Sequence, residues 1–165
     1  MALKFYVLLI IFYNLTMTAF KHNTVEKQFN INMYGSGTQA IVFAHGYGCD
    51  QNMFRFLYPH FERDYKIILF DYIGAGKSDI QAYTSEKYNS LQSYADDVIT
   101  ICKHLKLKDV IFVGHSVSAM IGVLASNKAP ALFSKLILIG PSPRYINDGD
   151  YTGGFEEEAI QELLE

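Results

Sequence analysis

The 165-residue sequence predicts an α/β domain in which helices cover both faces of a mostly parallel sheet. Short apolar runs of strand length recur along the chain, and stretches with the helical spacing of apolar residues separate them. Buried strands that alternate with helices are typical of parallel sheets. Half of the residues are hydrophobic and 19% are charged, which indicates a folded domain with its own core.

Five segments are predicted to be strands. Residues 29–34 alternate apolar and polar side chains, the period of a half-exposed strand. The other four are continuous apolar runs, as expected of strands that are covered on both faces. These runs cover residues 40–44, 67–70, 110–113 and 136–139.

Four segments have the pattern of helices. Asp50 is the predicted N-cap of the first, whose apolar residues fall at helical spacing as far as Phe61. The second covers residues 91–105, with acidic side chains early and basic ones at its end, as the helix dipole favours. The remaining two cover residues 116–127 and 155–165.

Composition excludes several classes of function. The net charge is −3 with both signs interspersed, so no basic surface for nucleic acid is predicted. Cys49 and Cys102 match no metal-binding spacing, and we interpret them as free thiols in a reducing compartment. His60 and His104 stand among charged residues of predicted helices and are expected to be solvated. The sequence therefore predicts no metal site and no nucleic-acid partner.

Two short glycine motifs resemble parts of nucleotide-binding sequences, but both are incomplete. Residues 76–78, Gly-Lys-Ser, match the end of a phosphate-binding P-loop, yet Asp71 stands where the first glycine is required. Residues 74–76, Gly-Ala-Gly, lack the third glycine of the dinucleotide fingerprint. We interpret both as a glycine turn after the second apolar strand, and no cofactor is predicted.

Residues 1–20 are set apart from the fold. Lys4 precedes a nine-residue apolar run, and a mixed stretch with a small residue at its end, Ala19, follows, which is the layout of a signal peptide. The run is too short to span a bilayer. A misannotated start upstream of a cytoplasmic protein explains the same segment. We favour the cytoplasmic interpretation and keep secretion through residues 1–19 as the alternative.

The segment Gly114-His115-Ser116-Val117-Ser118 carries the chemistry. It follows a buried strand and opens a helix, the corner at which a nucleophilic serine is held on a sharp turn above the sheet. The usual pattern is G-x-S-x-G, and Ser118 replaces the last glycine with another small residue. An ordinary serine at a helix start is the alternative. The sequence predicts Ser116 as the nucleophile of acyl transfer.

A second motif, His-Gly-Tyr-Gly at residues 45–48, follows another buried strand. Glycines at this place let the backbone turn and direct an N–H group towards a cavity, as in an oxyanion hole. The predicted donors are the backbone N–H groups of Tyr47 and Val117. The two motifs occur in the correct order on the correct strands, which favours catalysis over two unrelated turns.

With these motifs, the chain resembles an α/β-hydrolase of the RsbQ type, a group that includes the karrikin and strigolactone receptors of plants. The resemblance implies the N-terminal part of an α/β-hydrolase core over residues 21–148 and the start of a helical lid over residues 149–165. It also implies that the C-terminal strands and most of the lid are missing. Four stretches carry it, namely residues 43–51, 69–79, 114–120 and 139–148.

The resemblance also implies a function. Ser116 would be the nucleophile, Tyr47 and Val117 would supply the oxyanion hole, and no cofactor would be needed. The substrate would be a small, mostly apolar ester or lactone that acts as a signal. Bacterial relatives imply a stress-signalling regulator with a PP2C-type phosphatase as its partner, and plant relatives imply hormone reception in the same pocket.

The sequence does not complete a catalytic triad. Members of the fold place serine, acid and histidine in that chain order, yet only Asp148 and Asp150 are aspartates after Ser116, and no histidine follows it. His45 belongs to the oxyanion loop, and His115 is expected to point away from the nucleophile. Three interpretations stay open: a truncated serine hydrolase, a non-catalytic ligand- or partner-binding product, and a non-functional remnant. The last predicted strand is expected to form an exposed apolar edge.

Overall fold

A computed structural model describes residues 25–164 of the chain. The signal-like segment at residues 1–20 lies outside the described residues, and its prediction is left as it stands. Across residues 25–164, no helix has the length and apolar character that crossing a membrane requires.

A five-stranded sheet lies at the centre of the described residues, in the order β1-β3-β2-β4-β5. Strand β1 pairs with β3 in the antiparallel direction, and all other pairs are parallel. This confirms the predicted, mostly parallel α/β sheet. The strands are β1 Asn32–Tyr34, β2 Ala40–Ala44, β3 Lys66–Leu69, β4 Val110–His115 and β5 Phe133–Ile139.

Three predicted helices are present in the structure. Helix α1 spans Leu91–His104, α2 spans Val117–Lys128 and α3 spans Glu157–Leu164. Helices α1 and α2 pack against each other and against one face of the sheet. The first turn of α3 carries two glutamates, the charge that a helix N-terminus favours.

The predicted first helix is wrong in type. Asp50 does act as a cap, accepting a hydrogen bond from the Asn52 N–H at 2.8 Å. The capped segment, however, is a pair of 3-10 turns, Gln51–Phe54 and Tyr58–His60, in place of one α-helix. Pro59 lacks the N–H that an α-helical hydrogen bond requires at this point. These turns cover the second face of the sheet. The predicted strand over residues 29–34 is also shorter, since only its second half pairs with β3.

The core lies on both faces of the sheet. Within β2, Val42 packs on the α1–α2 side, while Ile41 and Phe43 pack against Phe54 on the other side. Because successive strand residues point to opposite faces, a strand that is covered on both needs an uninterrupted apolar run. The parallel strands β2 and β4 therefore bring their carboxyl ends, and the loops after them, to one edge.

Strand β5 lies at the edge of the described sheet, as predicted. It pairs with β4 alone among the strands of residues 25–164. Ile137, Leu138 and Ile139 are 48%, 37% and 40% exposed. The predicted exposed apolar edge is therefore confirmed for the described residues.

Candidate active site

Ser116 occupies a strained turn between β4 and α2. Its φ and ψ angles are 56° and −123°, a conformation that is rare for residues other than glycine. Its N–H donates to the Ile139 carbonyl at 2.8 Å, which fixes the turn against β5. Gly114 makes the turn possible, because a Cβ at this position would lie 2.4 Å from the carbonyl oxygen of Ser118. The predicted sharp corner is thus present.

Ser118, the departure from the usual glycine, is fully buried. Its hydroxyl donates to the carbonyl of His45 and lies 3.1 Å from the Tyr72 hydroxyl. The serine therefore ties the start of α2 to the oxyanion loop. The sequence showed only that Ser118 is small, and its hydrogen bonds were not predicted.

The predicted oxyanion loop lies directly against this corner. A Cβ on Gly46 would lie 2.7 Å from Nδ1 of His115 and 3.4 Å from Cβ of Ser116, so only glycine allows the approach. A tight turn comes next, closed by the Cys49 N–H donating to the Gly46 carbonyl at 3.2 Å, with Gly48 at a φ of +68°.

The two residues that carry the predicted N–H donors, Tyr47 and Val117, border a common cavity. The turn at residues 46–49 is closed by the N–H of Cys49, so this hydrogen bond does not use the N–H of Tyr47. Val117 is the first residue of α2, where helical geometry leaves the N–H without an intrahelical partner. Both residues line the same cavity, and Val117 directly follows Ser116 in the chain. Their role as the donors of an oxyanion hole stays a prediction.

Tyr145 is a site residue that the sequence did not predict. Its hydroxyl lies 3.1 Å from Oγ of Ser116. The backbone around Tyr145 is held by the Phe155 N–H, which donates to its carbonyl at 3.1 Å, and by Asn147, whose Oδ1 accepts the N–H groups of Gly153 and Gly154. Nothing in the local pattern signals a contact across 29 residues.

Two histidines, His45 and His115, lie near the site. Nε2 of His45 accepts the Tyr72 N–H at 3.1 Å, and Nδ1 pairs with the Gly46 carbonyl at 2.9 Å. Burial lowers the pKa of His45, so it stays neutral with both nitrogens engaged. The His115 ring lies against Gly46, and its buried Nδ1 has no hydrogen-bond partner in the described part of the chain. The hydrogen bonds of His45 agree with the expectation that it is not the base, and the expectation for His115 stays a prediction.

One other expectation about histidines is wrong. His60 is exposed as predicted, but the His104 side chain is only 12% exposed, and its Nε2 lies 3.6 Å from a carboxylate oxygen of Glu26. The helical turn at residues 25–28 lies beside the end of α1 and contributes this contact. No three potential metal-ligating side chains converge anywhere between residues 25 and 164.

Asp71 anchors the glycine turn that resembled a nucleotide site. One carboxylate oxygen accepts the Gln51 N–H at 2.9 Å, and the other accepts the Lys77 N–H at 2.9 Å and the Asn30 side chain at 2.7 Å. Burial by itself would raise the pKa of Asp71, but these hydrogen bonds together outweigh it and hold the pKa below its ordinary value. A Cβ on Gly76 would lie 2.4 Å from this carboxylate. The turn is therefore structural, as the sequence indicated.

The predicted start of the lid contacts the oxyanion loop. The Tyr47 side chain is 57% exposed, and its hydroxyl donates to the Leu163 carbonyl of α3 at 3.1 Å. Helix α3 therefore lies near the loop that carries one of the predicted donors. A phenylalanine at this position would lack the hydrogen bond.

A family model and curated proteins match most of the chain. Residues 39–157 match the family described as alpha/beta hydrolase fold. The karrikin insensitive 2 receptor CA of Petunia hybrida is 48% identical over 86% of this chain and 52% of its own length. The strigolactone esterase D14 of Arabidopsis thaliana is 43% identical over 87% of this chain and 54% of its own. The chain thus spans about half the length of these curated relatives.

Solved structures agree with this match. A hydrolase from Oleispira antarctica superposes with a TM-score of 0.82 at 42% identity, over 87% of this chain and 53% of that one. An esterase from Exiguobacterium antarcticum superposes with a TM-score of 0.73 at 28% identity, over 81% of this chain and 49% of its own. In both cases about half of the other chain is covered.

Proposed function

The chain belongs to the α/β-hydrolase family, and from that premise we propose that it supplies the nucleophile and oxyanion hole of a serine hydrolase for small, apolar esters or lactones. The observation that carries this proposal is the contact between the two loops. Gly46 approaches so closely that a Cβ there would lie 3.4 Å from Cβ of Ser116. A carbonyl group at Ser116 therefore has the N–H groups of Tyr47 and Val117 beside it.

The proposed reaction has two steps. Oγ of Ser116 attacks the carbonyl carbon and loses its proton to a base, and the carbonyl oxygen becomes an oxyanion. The N–H groups of Tyr47 and Val117 stabilise that charge, and the N-terminus of α2 adds its dipole. The intermediate collapses to an acyl-serine, and the base gives its proton to the leaving alkoxide, which becomes an alcohol. Water then attacks the acyl-serine with the help of the same base, which releases the acid and restores the Ser116 hydroxyl.

The base and the acid of the triad are proposed to come from outside these 165 residues. No histidine follows Ser116 in the sequence, and both ring nitrogens of His45 are engaged in other hydrogen bonds. The karrikin receptor and the strigolactone esterase are about twice as long. A serine without its base is a weak nucleophile, so we expect low activity from this chain alone.

The finer assignment rests on the relatives. Their names describe a karrikin insensitive 2 receptor and a strigolactone esterase, which supports a small signal molecule as the ligand. The cytoplasmic location is a separate proposal made from the sequence, with secretion through residues 1–19 as its alternative. An RsbQ-like stress regulator with a PP2C-type phosphatase partner rests on sequence resemblance alone, and these names do not support it. The competing function is ligand or partner binding without catalysis.

A fluorophosphonate reagent tests the proposal on the chain as it exists, with imidazole in solution as a substitute base. We expect a phosphonyl adduct on Ser116, located by peptide mass spectrometry, at a rate that rises with imidazole concentration. Ser116→Ala should form none. Ser126→Ala, on the half-exposed side of the same helix, should label like the unaltered chain.

A second variant tests the oxyanion hole. Gly46→Ala pushes the loop away from the nucleophile, and loss of a donor typically lowers such rates about 100-fold or more. If Ser116→Ala were labelled at the same rate as the unaltered chain, or if adducts formed only on other residues, Ser116 would not be the nucleophile. If Gly46→Ala were labelled as fast as the unaltered chain, with an unchanged circular dichroism spectrum, the result would contradict the proposed oxyanion hole.

A further inference from the structure

A cavity of about 610 Å³ opens beside the oxyanion loop. Tyr47 and Val117 are part of its wall, and Ser116 is not. The cavity therefore borders the proposed oxyanion donors without being lined by the nucleophile itself. We call it the side cavity.

The wall of the side cavity is mainly apolar. Leu91 and Tyr94 contribute from the first turn of α1, Ile121 from α2, and Tyr72 from the loop after β3. None of its lining residues is an aspartate, glutamate, lysine or arginine. His45 also borders it; burial lowers the pKa of this histidine, and its Nε2 is occupied as the acceptor of the Tyr72 N–H. A charged ligand group would find no partner there, and its desolvation would be costly.

The wall is also fixed in place. The Tyr72 ring packs edge-on against His45 at 5.0 Å and against Tyr94 at 5.5 Å between ring centroids. The Tyr72 hydroxyl is hydrogen-bonded to the Ser118 hydroxyl, and the Tyr72 carbonyl accepts the Ala75 N–H at 2.9 Å. Asp71 holds the far end of the same loop through the Lys77 N–H. The side cavity is therefore formed before any ligand arrives, as is usual for small-molecule sites.

We propose that the side cavity binds an uncharged, apolar ring or short branched chain of the substrate whose carbonyl group is held at Ser116. Its volume lies within the range of small-molecule pockets, roughly 300–1,000 Å³. The link to Ser116 rests on the proposed function, whereas binding of the apolar group does not require catalysis. The two parts can therefore fail separately.

Cys49 provides the reporter, because it lines the side cavity. The chain has one other cysteine, Cys102, and burial raises the pKa of that thiol to about 12. A methanethiosulfonate reagent therefore reports on Cys49: the thiolate displaces methanesulfinate and forms a mixed disulfide. The probes are benzyl methanethiosulfonate, which is apolar, and 2-sulfonatoethyl methanethiosulfonate, which is anionic.

The measured quantity is the ratio of the two modification rates, benzyl over sulfonatoethyl, divided by the same ratio for free glutathione. Because the benzyl group is buried on binding, we expect this preference to be about tenfold or greater at Cys49. Intact-mass spectrometry follows each rate. A preference near one would overturn the proposal.

Three variants make the test specific. Leu91→Trp and Ala75→Phe each fill the side cavity from a different wall and should abolish the preference. Cys49→Ser with Gln92→Cys moves the thiol to an exposed position on α1 and should show none. A preference that survives both filling variants, or that appears at position 92, would contradict the proposal. Two filling variants are used so that a folding defect in one leaves the other to decide.

Ser116→Ala separates the two hypotheses. We expect it to keep the full preference at Cys49 while losing the fluorophosphonate adduct. Loss of the adduct alone leaves the side cavity in place and tests only the nucleophile. Loss of the preference in Ser116→Ala would show that the apolar group does not bind independently of the serine, and the proposal would fall.

Discussion

The phenolic oxygen of Tyr145 lies 3.1 Å from Oγ of Ser116, and either hydroxyl can donate in that hydrogen bond. In both arrangements the bond restrains the serine side chain. Tyr145 is held by a backbone pairing with Phe155, close to the start of α3. The segment that leads into the predicted lid therefore also orients the proposed nucleophile.

Replacing Tyr145 by phenylalanine should slow phosphonylation of Ser116. One hydrogen bond is worth about 0.5–1.5 kcal/mol, which corresponds to a rate about 2- to 10-fold lower. Fluorophosphonate labelling in the presence of imidazole measures it. Tyr151→Phe is the matched control, because its hydroxyl donates to the Arg144 carbonyl at 3.2 Å in the same segment. An unchanged rate for Tyr145→Phe, or an equal decrease for the control, would contradict a positioning role.

Ser118→Ala should destabilise the fold. The variant loses the hydrogen bond to the His45 carbonyl and leaves the buried Tyr72 hydroxyl without its partner. Leaving buried polar groups unsatisfied costs about 1–3 kcal/mol, measured as the free energy of unfolding in urea. Ser126→Ala removes a hydroxyl that bonds only to the Val123 carbonyl of its own helix, so its change should be under about 0.5 kcal/mol. Equal changes in the two variants would exclude the bridge as a source of stability.

The sequence predicted the parts of this fold that depend on local pattern. The apolar run at residues 40–44 became β2 with the same bounds, and the predicted helix over 91–105 became α1. The prediction of an α-helix after Asp50 was wrong because the same apolar spacing also fits two 3-10 turns. Pro59 favours the turns, because it lacks the N–H that an α-helix would need there.

The site also contains residues that a local sequence pattern predicts and residues that no local pattern predicts. Ser116 and the loop at residues 45–48 could be located because each motif combines a strand end with small residues, a local signal. The contact of Tyr145 with Ser116 depends on how the chain returns after β5, which no local pattern encodes. In the sequence, Asp71 stands out only as the residue that breaks a P-loop motif. Its role as an anchor depends on its hydrogen bonds with the N–H groups of Lys77 and Gln51, which only the folded structure shows.

Asp71→Asn should lower stability in a pH-dependent way. The pKa of Asp71 lies below its ordinary value of 3.8 in the folded state, so the folded state binds the proton less readily than the unfolded state does. Its stabilising contribution is therefore fully present above about pH 4 and is lost as the pH falls through the folded pKa.

The asparagine variant should be less stable than the unaltered chain by about 1.5–3 kcal/mol at pH 7, the range for hydrogen bonds to a charged group. The difference should narrow below pH 4, as urea unfolding at several pH values would show. Asp96→Asn removes an exposed carboxylate paired with Lys128 and should change stability by less than about 1 kcal/mol. A gap for Asp71→Asn that stays constant down to pH 3 would contradict the assigned shift.

Ile137→Lys should reduce self-association without unfolding the domain. Ile137 is 48% exposed on β5, whose outer edge pairs with no other strand of residues 25–164. Exposed apolar edge strands pair with other chains, and an edge lysine opposes this through charge. Light scattering across a concentration series should show the onset of association moving to higher concentration. Ile80→Lys, at a 61% exposed residue outside the sheet, adds the same charge elsewhere, so an equal shift would assign the effect to net charge and not to the edge.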